Sequence, residues 1–427
     1  MRHPPNDRLM SRFRYFGLSG APGTDLPAGL PPSSGLPETR GAMRILVAHA
    51  FYRQAGGEDR YVIGQIDLLR RRHEVRLLAE HNEALGSGIR TAARMLYSRA
   101  MKQRAERMIA AFRPDIVHLH NPYPAIGPAV QLAVRQQGSA LVMTVHNHRL
   151  RCPNGLMFTQ GEICRRCEQG FYASAVLHGC FPDPRQSATY ATALWIHRFA
   201  FRLHETVSLF IAPSVYMRDR LIGWGFRGER IRAIPNPVDP QQIVSAPGKS
   251  GVYVGRLATE KGVDVLLRAL AYAGDPPFRI VGDGPLRGPM ERLSRELRLT
   301  RTTFVGEVGS HDVHRILDES GYLVMPSISE EVGPLAPLEA MAHGRAIVVS
   351  ARGALSELVR DGAGFATPAG DPRALAATIR RLLDEPDLAV AAGQRAWRLC
   401  KAEYSSDSHL ERLEEAYASV LLRHEVP

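Results

Sequence analysis

Short runs of Val, Ile and Leu alternate along most of the chain with longer stretches in which apolar residues recur every three or four positions. The runs fall at 44–50, 74–80, 115–120, 140–146 and 209–213, and again at 251–254, 278–281, 302–305, 322–325 and 346–350. A strand covered on both faces reads as an unbroken apolar run, and the helix between two such strands makes the crossover. The rhythm therefore predicts parallel β-α-β units and an α/β fold class.

The series pauses at Ile234-Pro235-Asn236-Pro237-Val238-Asp239-Pro240, where three prolines in six positions forbid a continuous helix or inner strand, and then at the polar stretch 241–250. This reads as a linker between two Rossmann-like domains, 43–235 and 236–404. A last helix, in 405–427, carries an apolar face of Leu410, Leu413, Ala416, Tyr417, Val420 and Leu421. Such a face must pack on something, and the pattern does not choose the partner. Residues 1–42 hold seven Pro and six Gly with no apolar period and read as a disordered extension.

Two stretches break the rhythm. The segment 148–190 interrupts it with no strand of its own and contains Cys152, Cys164, Cys167 and Cys180, which argue for order. Upstream, 90–113 holds seven Lys or Arg against Glu106, with Met95, Leu96, Met101, Met108 and Ile109 interleaved, and reads as one basic amphipathic helix. It is either a solvated face packed on a sheet or a surface for an anionic membrane.

Composition narrows the class without naming the chemistry. With 427 residues, 44% hydrophobic and 23% charged, the chain is neither disordered, collagen-like nor a disulfide-dense miniprotein. A net charge of +11 favours anionic partners such as nucleotides, sugar phosphates, lipid headgroups or nucleic acid. No apolar stretch reaches the roughly 18 residues of a membrane span, and the N-terminus lacks the apolar core of a secretory signal. The expectation is a cytoplasmic protein with reduced thiols.

In open α/β sheets, ligands bind beyond the carboxyl ends of the strands, and three polar motifs stand at such places. Gly56-Gly57-Glu58 follows the first strand, where Gly57 lets backbone approach a phosphate; a plain tight turn is the other reading. Gly255-Arg256-Leu257-Ala258-Thr259-Glu260-Lys261-Gly262 places two cations beside a strand end, spaced to clamp a diphosphate. Pro326-Ser327-Ile328-Ser329-Glu330-Glu331-Val332-Gly333-Pro334-Leu335 ends a strand and opens a helix whose free amides suit phosphate. Glu339, one turn into that helix, is placed for the two hydroxyls of a ribose, and Glu331 lies nearer the reacting sugar. In isolation both carboxylates would read as helix caps.

These motifs, together with Ile280-Val281-Gly282-Asp283-Gly284-Pro285-Leu286 and Glu331-x7-Glu339, resemble the donor half of retaining GT-B glycosyltransferases of family four. Pro114-Asp115-Ile116-Val117-His118-Leu119-His120-Asn121 and Thr144-Val145-His146-Asn147 are similar to the other half, so the likeness spans about 43–425. It implies GT-B architecture, two Rossmann-like domains facing across a cleft. It further implies a nucleotide-sugar co-substrate, a UDP- or GDP-sugar, bound mainly by the C-terminal domain. Arg256 and Lys261 would hold the diphosphate, Glu339 the ribose, and Glu331 the donor sugar, with His146 at the reacting centre and Gly57 meeting phosphate from the opposite side. Pro334 has no N–H where relatives often offer one, so Gly333 and Leu335 would have to supply the amides.

Charge growing on a departing diphosphate is stabilised by preorganised cations and helix amides. No Asp-x-Asp pair is present to hold a divalent ion, so the expectation is retaining transfer without a catalytic cofactor, by attack on the face the diphosphate leaves. The acceptor implied is lipid-linked or a polysaccharide, met in the cytoplasm or at the inner leaflet, where the basic stretch would make a peripheral contact. Cys152-x11-Cys164-x2-Cys167-x12-Cys180 has the ligand count of a structural zinc site, with unligated thiols as the alternative. Two competing functions are a sugar-nucleotide epimerase on the same architecture and a zinc-bearing nucleic-acid-binding protein. The latter explains neither the doubled rhythm nor the carboxylates, so no nucleic-acid partner is expected.

Overall fold

The computed structural model describes residues 41–54, 56–84, 89–243 and 248–424. The 1–42 extension therefore lies, for residues 1–40, outside the described residues.

The first sheet contains β1 (Arg44–Phe51), β2 (Glu74–His81), β3 (Ile116–Leu119), β4 (Ala140–Thr144), β7 (Leu209–Ala212) and β8 (Ile231–Ala233). Between β4 and β7 lies a two-stranded hairpin, β5 (Phe158–Thr159) with β6 (Glu162–Ile163). All pairings in the six-stranded sheet are parallel, in the order β2-β1-β3-β4-β7-β8. The second sheet has β9 (Gly251–Val254), β10 (Phe278–Val281), β11 (Thr302–Gly306), β12 (Tyr322–Met325), β13 (Ala346–Ser350) and β14 (Gly364–Thr367). It is parallel throughout, in the order β11-β10-β9-β12-β13-β14. The α/β class and the two facing Rossmann-like sheets agree with the sequence reading.

Successive side chains of a strand point to opposite faces, and β1 shows what that does. Leu46, Ala48 and Ala50 join one core with Val117, Leu119 and the helices Arg99–Phe112 and Ala129–Gln137. Ile45 and Val47 join another with Ile116, Val142 and the helix Gly57–Leu69.

The terminal helix, Ser406–His424, closes that second core: Leu410, Leu413, Ala416, Tyr417 and Val420 are buried in it. The chain thus leaves the second sheet and returns to the first. The return is pinned at the crossover, where Ser406 Oγ donates to Asp239 at 2.8 Å, His409 Nδ1 meets the Pro235 carbonyl at 2.8 Å and Val238 N donates to the Tyr404 carbonyl at 2.7 Å.

Three expectations are corrected. The 148–190 segment does contain strands, although they are only the two-residue β5 and β6. Strands β8 and β14 lie at sheet edges the hydrophobic pattern did not mark; Arg232 interrupts one and Gly364 opens the other. The basic stretch 90–113 is two helices, Ile89–Leu96 and Arg99–Phe112, the second capped by Ser98 Oγ on Met101 N.

Candidate active site

The strand orders put two switch points side by side in function: β1 next to β3, and β9 next to β12, where neighbouring strands send their crossovers in opposite directions. A crevice opens at such a point because the two loops part.

In the second sheet that crevice holds the Gly255–Gly262 loop and the loop after Met325. Gly262 adopts φ +64, and a Cβ there would meet the Pro326 carbonyl at 2.3 Å, so only glycine lets the two loops touch. The consequence is a short reach: Lys261 Nζ meets Glu331 Oε1 at 2.7 Å, and Ser327 Oγ donates to the same oxygen at 2.6 Å. Burial by itself would raise the Glu331 carboxyl, but the Lys261 charge and these hydrogen bonds hold it below the ordinary carboxylate range. Arg256, on the same loop, is exposed and forms no ion pair among the described residues. The helix Leu335–Ala342 begins after Pro334 with no side-chain cap, so its first amides are open to a ligand. One turn in, Glu339 Oε2 is buried without a hydrogen-bond partner.

In the first sheet the crevice is built from the ends of β1, β3 and β4. His146 Nε2 meets His120 Nδ1 at 2.9 Å, and its ring lies edge-on to Tyr61 at 4.8 Å between centroids. Burial, with the neighbouring imidazoles of His49 and His118, keeps His146 well below the ordinary histidine range and hence neutral. Gly57 opens the helix Gly57–Leu69, and the next residue, Glu58, accepts from Tyr52 Oη at 2.8 Å and Asn147 Nδ2 at 3.4 Å. Its carboxyl is raised, chiefly by burial. Arg149 lies over the Tyr190 ring at 5.1 Å, with its Nε buried and unpartnered.

The two crevices face each other in contact. A Cβ at Gly57 would stand 3.2 Å from Leu335 Cδ1, which places two helix N-termini at one spot. Arg60 Nη1 reaches Glu339 Oε1 at 3.3 Å, Ser214 Oγ donates to the Val332 carbonyl at 2.6 Å, and Asn236 Nδ2 donates to the Gly333 carbonyl at 2.9 Å. Glu357 accepts from the amides of Val215, at 3.0 Å, and Tyr216, capping a helix of the opposite half.

Of the residues singled out in the sequence, Gly57, Lys261, Glu331, Leu335 and Glu339 come together around this contact. Gly333 has its carbonyl turned to Asn236 and its Cα against Pro213. Arg60 and Ser327 were not singled out, although Arg60 stands one turn after Gly57 on the same helix and Ser327 lies in the quoted loop. Arg149 follows from nothing in the local pattern. Three of the seven cations of 90–113 are committed to ion pairs: Arg94 and Arg104 both bind Glu80, and Lys102 binds Glu106. Cys152, Cys164, Cys167 and Cys180 are free thiols, and among the described residues no group of three or more His, Cys, Asp or Glu is arranged to hold a metal ion.

Comparison with known proteins places this geometry. The family model "Glycosyltransferase Family 4" matches residues 55–242 and "Glycosyl transferases group 1" matches 242–398. Alpha-D-kanosaminyltransferase of Streptomyces kanamyceticus is 32% identical over 176 residues, which cover 40% of this chain and 45% of the relative, so the chain spans about half that protein's length. Glycogen synthase of Mycobacterium tuberculosis is 29% identical over 328 residues, 73% of this chain and 69% of the relative. The crystal structure of Anabaena HepE in complex with UDP and glucose superposes with a TM-score of 0.65 at 19% identity, over 88% of this chain and 100% of that one, and shares the GT-B fold.

Proposed function

The chain belongs to the glycosyltransferases of group 1, family four type, and from that premise we propose that it moves a sugar from a nucleotide-sugar donor to an acceptor hydroxyl, with retention at the anomeric carbon and without a catalytic metal. The observation that carries the reading is the meeting of two helix N-termini, at Gly57 and Leu335, with Glu331, paired to Lys261, on the loop that leads into the second. Each N-terminus carries about half a positive charge on free amides, so the contact is an anion site fit for the diphosphate of a donor. Glu339 Oε2, buried and unpartnered, is an acceptor waiting for a hydroxyl, and we assign it the ribose. The HepE structure with UDP and glucose supports a UDP-sugar as the first donor to test, with a GDP-sugar second.

As the diphosphate leaves, negative charge gathers on its terminal phosphate. Lys261, held by Glu331, and the amides of Leu335 and its neighbours are fixed beforehand and stabilise that charge without reorganising, and the exposed Arg256 adds a second cation from the same loop. Lys261 arrives already bound to Glu331, which holds the ammonium in place and keeps the carboxylate ionised near the donor sugar. His146, neutral and hydrogen-bonded to His120, lies on the facing wall, where it is suited to donate to a sugar hydroxyl. An acceptor hydroxyl entering past Glu58 and Arg149 attacks on the face the phosphate is leaving, and the departing phosphate takes its proton.

We read the acceptor as lipid-linked or polysaccharide and the setting as cytoplasmic or peripheral at the inner leaflet. The ion pairs of Arg94, Lys102 and Arg104 leave the 90–113 stretch a weaker membrane contact than its charge count suggests. We also propose 43–235 and 236–404 as the acceptor and donor domains, with 405–427 as the returning helix.

A thermal-shift screen against UDP-, GDP-, ADP- and dTDP-sugars tests the donor, since a ligand of the folded state raises its stability by mass action. NMR of the product with the matching donor and an acceptor then reads the anomeric configuration. An inverted product would refute retention, and donor conversion without acceptor would point to an epimerase instead.

A further inference from the structure

The segment 151–183 has almost no means of folding by itself. Its regular structure is two strands of two residues and a four-residue helix, Ser174–Leu177, while Phe171 and Leu177 stay exposed at 63% and 73%. Gly155, Met157, Gln160, Gly161, Gly170 and Gly179 all take positive φ. Met157, Phe158, Tyr172 and Ala175 are buried, but Tyr172 and Ala175 pack against Met95, Tyr123 and Leu194 rather than in a core of the segment's own, and a segment without its own core is held in one conformation by a covalent or metal staple.

Cys152, Cys164, Cys167 and Cys180 all line one small cavity of about 10 Å³ inside this segment. The β5–β6 hairpin brings them there: it turns at Gln160-Gly161, and Cys164 N donates to the Met157 carbonyl at 2.7 Å, folding the Cys164-x2-Cys167 pair back over Cys152. The sulfurs are also provided for. Burial raises the Cys152 and Cys167 thiols, and backbone amides of Asn154, Gly155 and Met157 at Cys152, and of Ala175 at Cys167, partly oppose that rise. The Thr159 hydroxyl serves Cys180, and Arg166 Nη1 donates to Cys164 Sγ at 3.5 Å. Amide, hydroxyl and guanidinium donors are partners for thiolates, and thiols are poor acceptors.

From this convergence we propose that the four thiols bind one Zn²⁺ as a tetrahedral structural site, which staples 151–183. Binding converts four thiols to thiolates and releases four protons, leaving a site of net charge −2 that Arg151, lining the cavity, and Arg166 offset. As they stand the thiols are not drawn into a ligand set, and Cys152 donates to Asn154 Oδ1 at 2.9 Å. Loading therefore requires that proton to leave and the sulfurs to turn inward about their single χ1. Four thiolates in tetrahedral array suit zinc or iron–sulfur chemistry, and neither this segment nor the proposed transfer calls for electron transfer. The staple has a use in the cleft. Arg165, between Cys164 and Cys167, binds Glu330 of the second half at 2.7 Å, next to Glu331, so the zinc fixes a positioning residue. The site itself stands independently of the transferase reading.

The experiment is metal analysis of the full chain, expressed with zinc supplied and purified under reducing conditions. The expected result is about one zinc per chain, with four thiols shielded from Ellman's reagent until a mercurial releases the metal. Cobalt replacement should give the intense visible bands of a tetrahedral thiolate site. Cys164→Ser and Cys180→Ser should lose the metal, while Cys400→Ser should keep it, because Cys400 is buried elsewhere, against the Val238 carbonyl. Substoichiometric zinc with freely reacting thiols, two disulfides by mass spectrometry, or bound iron would each overturn the proposal. The wild-type metal content decides even where a Cys→Ser variant fails to fold.

Discussion

Lys261 has two jobs in one position, and they separate by measurement. Its ammonium faces the proposed diphosphate and also offsets the burial of Glu331. Lys261→Ala should lower turnover by at least about tenfold, or about 1.4 kcal/mol of transition-state stabilisation. Arg256→Ala should do the same. Only the first should also move the pH profile: with burial unopposed, the Glu331 carboxyl rises, so the acid limb of kcat/KM shifts to higher pH. A profile that does not move in Lys261→Ala would detach Glu331 from the reaction. For His146, kept neutral by burial among other imidazoles, His146→Ala should lower kcat more than it lowers stability. Full kcat with a reduced Tm would make it a core histidine.

Among the elements, the helix Ser406–His424 carries the clearest energetic statement. Leu413 is fully buried in the core of the first sheet, and Tyr417 Oη meets His118 Nδ1 at 2.7 Å, with His118 Nε2 on Thr144 Oγ1 at 2.8 Å. Leu413→Ala should cost about 2–5 kcal/mol by removing buried methyl groups and leaving a cavity. Tyr417→Phe should cost about 1–3 kcal/mol, because it leaves a buried imidazole nitrogen unpaired. Urea unfolding would read both. Equal stability of Leu413→Ala and wild type would mean the helix does not hold the first sheet.

At the level of the whole molecule, the buried histidines set the response to acid. Burial lowers His118 and His148 to about 3, and His197 and His409 to about 4. The unfolded chain takes up these protons at its ordinary pKa of about 6.5 and the folded chain does not. Stability is therefore full above that pH and falls as pH drops from about 6.5 toward 4, by up to about 1.4 kcal/mol per unit for each histidine. Glu58 and Glu357, raised by burial, act in the opposite direction, but they are two against nine lowered histidines, since His73, His120, His146, His204 and His314 are lowered as well. Tm measured from pH 7.5 down to 5 should decline steeply below about 6.5, and a flat profile would contradict neutral burial.

What the sequence determined by itself is what local chemistry dictates. Unbroken apolar runs mark buried strands, so ten of the strands and the parallel class were legible, as were the loops of Lys261 and Glu331 and the helix starts that carry Gly57 and Glu339. The edge strands β8 and β14 were not, because β8 is three residues long and interrupted by Arg232 and β14 opens on Gly364, whereas β2 and β11, also at edges, keep readable runs. The tertiary structure alone decided which sheet received the last helix, since an amphipathic face specifies burial but not a partner. It alone decided that Arg94 and Arg104 turn to Glu80, because charge pairing depends on neighbours that sequence distance does not bring together. The contact of Gly57 with Leu335 and of Arg60 with Glu339 is of the same kind. Each partner belongs to a different sheet, and the cleft they form exists only once both sheets are folded and face each other.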